Sequence, residues 1–184
     1  MLSLADIAQL FARHGAEQYS GEPVTQLEHA LQTAHFAEQS EASDALVTAC
    51  LLHDLGHLLN HQGETPTLRG IDDTHQYFAL PFLRGLFADA VLDAIKLHVD
   101  AKRYLCQVDT GYYDRLSADS KRSLALQGGV YAPAAAAAFI TQPGAHDAVR
   151  LRQWDDLAKQ ADLRTPPLAH FLARASACAV AAGR

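Results

Sequence analysis

Apolar residues recur at three- and four-residue spacing along almost the whole chain, and nowhere do they alternate for long enough to make a strand. Leu4, Ile7, Ala8, Leu10 and Phe11 predict a short amphipathic helix that stops near His14 and Gly15. A turn at Ser20-Gly21-Glu22-Pro23 follows. Thr25 is placed to cap the next helix, on which Leu27, Ala30, Leu31, Ala34 and Ala37 fall at helical spacing. Ser43 caps another, predicted to run to about Leu59, and residues 61–67, with Gly63 and Pro66, read as a loop. Further helices are expected over 74–86, 89–98, 101–106 and 117–127. Gly128-Gly129 breaks the pattern, and Pro133 opens an alanine-rich helix. Two more helices, over 146–161 and 167–180, complete an all-α chain without internal repeats.

A length of 184 residues suits one domain, 1–184, with a sizeable core. The formal charge of -6 argues against nucleic acid as the main partner, because a phosphate backbone demands a basic face. A small anionic substrate needs only a few local cations. The three cysteines, Cys50, Cys106 and Cys178, are widely spaced and odd in number, which speaks against a disulfide framework and for a reducing cytoplasm. Neither a leader-like apolar segment nor a run of membrane-spanning length is visible.

One segment carries chemistry. In Ala49-Cys50-Leu51-Leu52-His53-Asp54-Leu55-Gly56-His57, a carboxylate and two imidazoles sit inside an otherwise apolar helical run. Burying them is costly unless something compensates, and a metal ion is the usual compensation. Adjacent residues on a helix diverge by about 100°. His53 and Asp54 therefore reach a single ion lying between them, or the carboxylate bridges to a second ion. His29, His75, His98 and one aspartate of the Asp155-Asp156 pair extend the candidate set. Six N/O donors exceed what one tetrahedral zinc uses and suit two octahedral first-row metals, iron or manganese. Spacing alone does not separate Asp155 from Asp156. His14, His35, His61, His146 and His170 are expected to be ordinary core or surface residues, and Cys50 to pack in the core.

A histidine, then His-Asp, then a late aspartate resembles the HD-domain superfamily of metal-dependent phosphohydrolases and oxygenases, whose fold is an all-α bundle. With His75 and His98 between, the pattern resembles its two-metal members. Further blocks sharpen this: Tyr19-Ser20-Gly21-Glu22, Leu27-Glu28-His29-Ala30-Leu31-Gln32, His98-Val99-Asp100-Ala101-Lys102-Arg103-Tyr104-Leu105, Ser123-Leu124-Ala125-Leu126-Gln127-Gly128-Gly129 and Arg152-Gln153-Trp154-Asp155-Asp156. Together they are most similar to the mixed-valence diiron oxygenases that cleave the C–P bond of 1-hydroxyphosphonates, and they span about residues 19 to 160.

The resemblance implies a dinuclear site in the bundle core with His29, His53, Asp54, His75, His98 and Asp155 as iron ligands, Asp54 bridging. It favours Asp155 over Asp156. It implies Lys102 and His57 as the catalytic groups that bind the phosphonate, and Tyr19 and Glu22 as a lid near a substrate amine. Ser123 and Gln127 would bind substrate from the cavity wall or cap a helix. The cofactors implied are two iron ions, Fe(II)/Fe(III), with O2 as co-substrate. The reaction implied is cleavage of 2-amino-1-hydroxyethylphosphonate, or its N-trimethyl analogue, to glycine or betaine and phosphate. A substrate without the amine stays open. The alternative on the same scaffold is a divalent-metal phosphohydrolase of a nucleotide or other phosphate monoester, and a third reading is a silent domain that keeps metal for stability.

Overall fold

The computed structural model describes residues 1–19, 21–60 and 66–180. The helices are α1 (Leu4–His14), α2 (Gln26–Gln39), α3 (Asp44–Leu52), α4 (Leu55–Leu59), α5 (His75–Phe78), α6 (Leu80–Leu83), α7 (Asp89–Val108), α8 (Tyr112–Arg115), α9 (Ala118–Leu126), α10 (Pro133–Ile140), α11 (Ala145–Leu157) and α12 (Leu168–Cys178). Among the described residues there are isolated β-bridges but no strand. The fold is all-α, as the spacing predicts.

Helix α3 lies at the centre. Its residues from Leu46 to Leu52 are all buried, and a helix that is apolar on every side can only be satisfied by neighbours on every side. Helices α2, α7, α11 and α12 supply them. The most extensive helix pairing is α7 with α11, and both contribute to the site described below. Ser3 with Asp6, and Thr25 with Glu28, form reciprocal capping boxes that fix the starts of α1 and α2.

Four expectations change. The helix expected from Ser43 to Leu59 breaks at His53 and Asp54, the latter with φ -101° and ψ 11°, so that α3 and α4 are separate rods. The helix expected over 74–86 becomes α5 and α6, with Pro81 in the first turn of α6. Conversely, 89–98 and 101–106 are one 20-residue helix, since neither Val99 nor Asp100 is a breaker. Pro66–Arg69 forms a single 3-10 turn where a loop is expected, and α8 is a one-turn helix with no periodic signal. Residues 61–65, His61 included, and Ser20 lie outside the described residues.

Candidate metal centre and cavity

The break after Leu52 shapes the site. His53 ends α3, Asp54 caps α4, His57 lies on α4, His29 on α2, His75 opens α5, His98 and Lys102 lie on α7, and Asp155 lies on α11. His29 and His53 are fully buried, and Asp54, His75, His98 and Asp155 nearly so. Six residues, drawn from five separate stretches of the chain, thus converge in the core.

They converge as two groups around Asp54. His29 Nε2 lies 3.2 Å from His53 Nε2, 3.3 Å from Asp155 Oδ1 and 3.5 Å from Asp54 Oδ2. His53 Nε2 is 3.4 Å from the same Asp54 oxygen. On the other side, Asp54 Oδ1 lies 3.3 Å from His75 Nε2 and 3.7 Å from His98 Nε2, and those two nitrogens are 3.1 Å apart. Donors that are each about 2.1 Å from one ion stand roughly 3.0–3.5 Å from one another. One carboxylate therefore presents an oxygen to each of two ion-sized gaps.

The tautomers settle what these nitrogens can do. Each Nδ1 faces an acceptor: Ala158 O for His29 at 2.8 Å, Cys50 O for His53 at 2.8 Å, Ile95 O for His98 at 2.6 Å, and Asp73 Oδ1 for His75 at 2.8 Å. An Nδ1–H that donates there leaves Nε2 of a neutral imidazole as a lone pair. Two lone pairs face each other at each Nε2 pair; the His29–His53 pair lies beside Asp54 Oδ2 and Asp155 Oδ1, buried oxygens with no hydrogen-bond partner among the described residues, and the His75–His98 pair lies beside Asp54 Oδ1. Only cations satisfy such an arrangement without protonating the rings. The donor set fits a dinuclear N/O-ligated metal site.

Supporting residues hold the ligands in place. Arg152 donates to Asp155 Oδ2 at 2.7 Å and also grips Asp156, which turns away from the centre toward Tyr112. Burial raises the Asp155 carboxyl, but Arg152 and the facing histidines outweigh it and hold it well below the carboxylate range. Asp73 binds His75 and also His57 Nδ1, at 2.7 Å. Neither Arg152 nor Asp73 stands out as a site residue in the sequence. An arginine three and four residues before two aspartates on one helix was the available signal for the first. The acidic Asp72-Asp73 step before His75 was the signal for the second.

A narrow cavity of about 50 Å³ opens onto the centre, lined in part by Tyr19, Asp54, His57, Lys102, Ser123 and Gln127. Lys102 is 2% exposed, and its Nζ donates to Ser123 Oγ at 2.7 Å. Burial, then Arg152, lowers its pKa to about 7. Burial pulls His57 down as well, but Asp54 and Asp73 outweigh it and raise the imidazole to about 9. Gln127 is the C-cap residue of α9, and its buried side-chain oxygen has no partner among the described residues. Tyr19 stacks on His29 with ring centroids 3.8 Å apart. Glu22, by contrast, pairs with Lys159 at 3.5 Å and does not line the cavity. The arrangement offers a cationic wall of Lys102 and His57 opposite two ion-sized gaps, a setting for a small anion that also reaches metal.

Comparison with known proteins is consistent with this geometry. The HD domain family matches residues 27–127. The chain is 42% identical to hydroxymethylphosphonate dioxygenase from Gimesia maris over 176 residues, which is 95% of this chain and 87% of that protein. It is 38% identical to [1-hydroxy-2-(trimethylamino)ethyl]phosphonate dioxygenase (glycine-betaine-forming) from Leisingera caerulea over 169 residues, 90% of this chain and 84% of that one. No helix among the described residues is long and apolar enough to cross a membrane.

Proposed function

The chain belongs to the HD-domain family, and we propose that it is a dioxygenase that uses O2 to cleave the C–P bond of a 1-hydroxyphosphonate. Similarity over nearly the whole chain to two enzymes named for that substrate class carries the reading. The reaction is R–CH(OH)–PO3H2 + O2 → R–COOH + H3PO4. One C–H and one C–P bond break, the carbon gives up four electrons to O2, and no further reductant is needed. As part of phosphonate degradation it yields a carboxylic acid and inorganic phosphate.

His29, His53, Asp155 and Asp54 Oδ2 would hold one iron ion, and His75, His98 and Asp54 Oδ1 the other. As an Fe(II)/Fe(III) pair, the metals would supply O2 reduction and a template for the substrate's hydroxyl and phosphonate oxygens. The chain's own residues do the remainder. Lys102 as ammonium donates to a phosphonate oxygen, taking a charge-assisted hydrogen bond stronger than the one it makes to Ser123. His57, its Nδ1–H held by Asp73, turns Nε2 toward the cavity as the second donor. Ser123 keeps Lys102 aimed, and Gln127 presents an amide to the same wall. Tyr19 covers His29 and limits access of water.

Phosphate release from a panel of 1-hydroxyphosphonates by iron-loaded protein, in air and under strict anaerobiosis, tests the reading. Release only in air, with one equivalent of carboxylic acid per phosphate, is expected. Phosphate release from phosphate monoesters or nucleotides without O2 would replace it with the hydrolase.

A further inference from the structure

Gln32, the last residue of the sequence block around His29, lies on α2 one turn beyond that histidine, so the two side chains leave the helix on one face. It is buried, and it pairs with main chain far along the sequence. Its Nε2 donates to Gln160 O at 2.8 Å, and its Oε1 accepts from Gln160 N–H at 3.0 Å. A primary carboxamide carries donor and acceptor side by side, and so matches the N–H and C=O of a single residue. Two residues before Gln160 stands Ala158, whose carbonyl accepts from His29 Nδ1 at 2.8 Å. Gln160 folds its own side chain back, donating from Nε2 to Leu157 O at 3.2 Å. The turn after α11 is thus fastened to one face of α2 at two points, by His29 and by Gln32.

His29 is the histidine of the centre that needs such a fastening. His53 and His98 donate to Cys50 O and Ile95 O, carbonyls three residues earlier on their own helices, and His75 donates to Asp73, two residues away. Local geometry fixes those acceptors. The acceptor of His29 is 129 residues distant. Ala158 is the C-cap residue of α11, with φ -81° and ψ 46°, outside helical geometry. Carbonyls at a helix C-terminus lack intrahelical partners, so the chain that follows sets their direction. Gln32 holds that chain through Gln160.

The same fastening bears on a second donor of the centre. Ala158 N–H donates to Asp155 O at 3.2 Å, and Asp155 Oδ1 faces His29 Nε2 at 3.3 Å. A shift of the turn after α11 would therefore move the partner of His29 Nδ1 and the neighbour of its Nε2 together.

We propose that Gln32 is a positioning residue for the metal position built by His29, His53 and Asp155. By clamping the main chain of Gln160 it aims the Ala158 carbonyl at His29 and registers α11, with Asp155, against α2. Its own amide is committed to Gln160, so it acts through His29 and is not itself a ligand. The inference rests on the dinuclear reading of the centre, and it makes the two positions unequal: one depends on a contact between distant segments, while the imidazoles of the other are aimed by residues close to them in sequence.

Stepwise dissociation constants for Co(II), from chelator competition on the full chain, test this. Outer-sphere partners of a ligating histidine typically tune metal affinity 10–100-fold, so Gln32→Met should weaken one position by roughly tenfold or more and leave the other unchanged. Proton NMR of the Co(II) protein identifies the position. The Nδ1–H groups of His29, His53, His75 and His98 should each give a metal-shifted exchangeable signal, assigned through Overhauser contacts. In Gln32→Met the His29 signal should be lost to solvent exchange while those of His75 and His98 persist. Gln32→Asn keeps the carboxamide one methylene short and should fail in the same way, and it carries the test should the Met variant not fold. Ser3→Ala, on a helix that holds none of the six donors, is the control for lost stability: it should lower Tm in chelator and leave both constants as in the wild type. Gln32 variants that lower Tm but keep both constants and the His29 signal overturn the inference, and so does equal weakening of the two positions. A wild type that holds fewer than two Co(II) ions refutes the dinuclear reading itself, and this inference with it.

Discussion

Replacing Asp54 by asparagine separates the two ion positions. In the wild type the first position has two imidazole nitrogens, Asp155 Oδ1 and Asp54 Oδ2, while the second has two imidazole nitrogens and Asp54 Oδ1. The amide keeps the shape of the carboxylate but loses its charge and turns an NH2 toward one of the two gaps. The first position retains His29, His53 and an ionised Asp155. The second is left with two neutral imidazoles. Loss of an outer-sphere partner alone typically costs 10–100-fold in metal affinity, so loss of a bridging ligand should exceed about 100-fold at the second position. Through linkage, a fall in saturation from about 1,000 to about 10 times Kd removes roughly 2.7 kcal/mol of stability. For a chain of this size that is roughly 5–11 °C in Tm. Metal content after desalting, by mass spectrometry, should fall from two ions per chain to one or fewer, and the Tm difference should vanish with chelator. An Asp54→Asn protein that retains two ions and a wild-type Tm would refute the bridging geometry.

Gly56 approaches α5 so closely that a Cβ there would stand 2.7 Å from the carbonyl carbon of His75 and nearer still to its oxygen. Gly56→Ala should therefore displace His75, cost about 1–3 kcal/mol from overpacking, and lower metal content from two ions to one; two tightly held ions would count against this. Lys102→Met should raise KM for the phosphonate about 100-fold or more by removing a charge-assisted contact. The same change should stabilise the metal-free fold. Burial puts the Lys102 pKa near 7, below its unfolded value, so the cost of the buried ammonium is full below pH 7 and fades as pH rises toward the unfolded pKa. The Tm gain of Lys102→Met in chelator should accordingly be largest at acidic pH, and a gain that grows with pH would invert the assignment. Thr25→Ala removes one half of the capping box on the helix that carries His29 and should cost about 1 kcal/mol, read as roughly 2–4 °C in a thermal scan.

Elements with a local cause were legible in the sequence. Thr25 announces the start of α2, and Ser43 the start of α3, because a cap is a short-range hydrogen bond between residues near in the chain. His53, Asp54 and His57 stood out because such groups are costly in an apolar run, whereas His29, His75, His98 and Asp155 needed the wider pattern of motifs. What holds them did not stand out. Three of the four histidines are oriented by carbonyls of Ala158, Cys50 and Ile95, and a main-chain acceptor leaves no mark on residue identity.

The break between α3 and α4 was equally hidden, since Leu51 to His57 contains no proline and a single glycine, yet the site depends on it. In a continuous helix the directions of the His53 and Asp54 side chains would be fixed about 100° apart, whereas the break frees Asp54 from that constraint. With Asp54 outside helical geometry, its oxygens part, Oδ2 toward His29 and His53 and Oδ1 toward His75 and His98. The same departure starts a new rod that carries His57 onto the cavity wall and brings Gly56 against His75. Adjacency in sequence thus becomes separation in space: His53 lies with one group of donors, Asp54 between the two groups, and His57 on the cavity wall. That is why a helix-compatible heptad is bent where its two costliest residues meet.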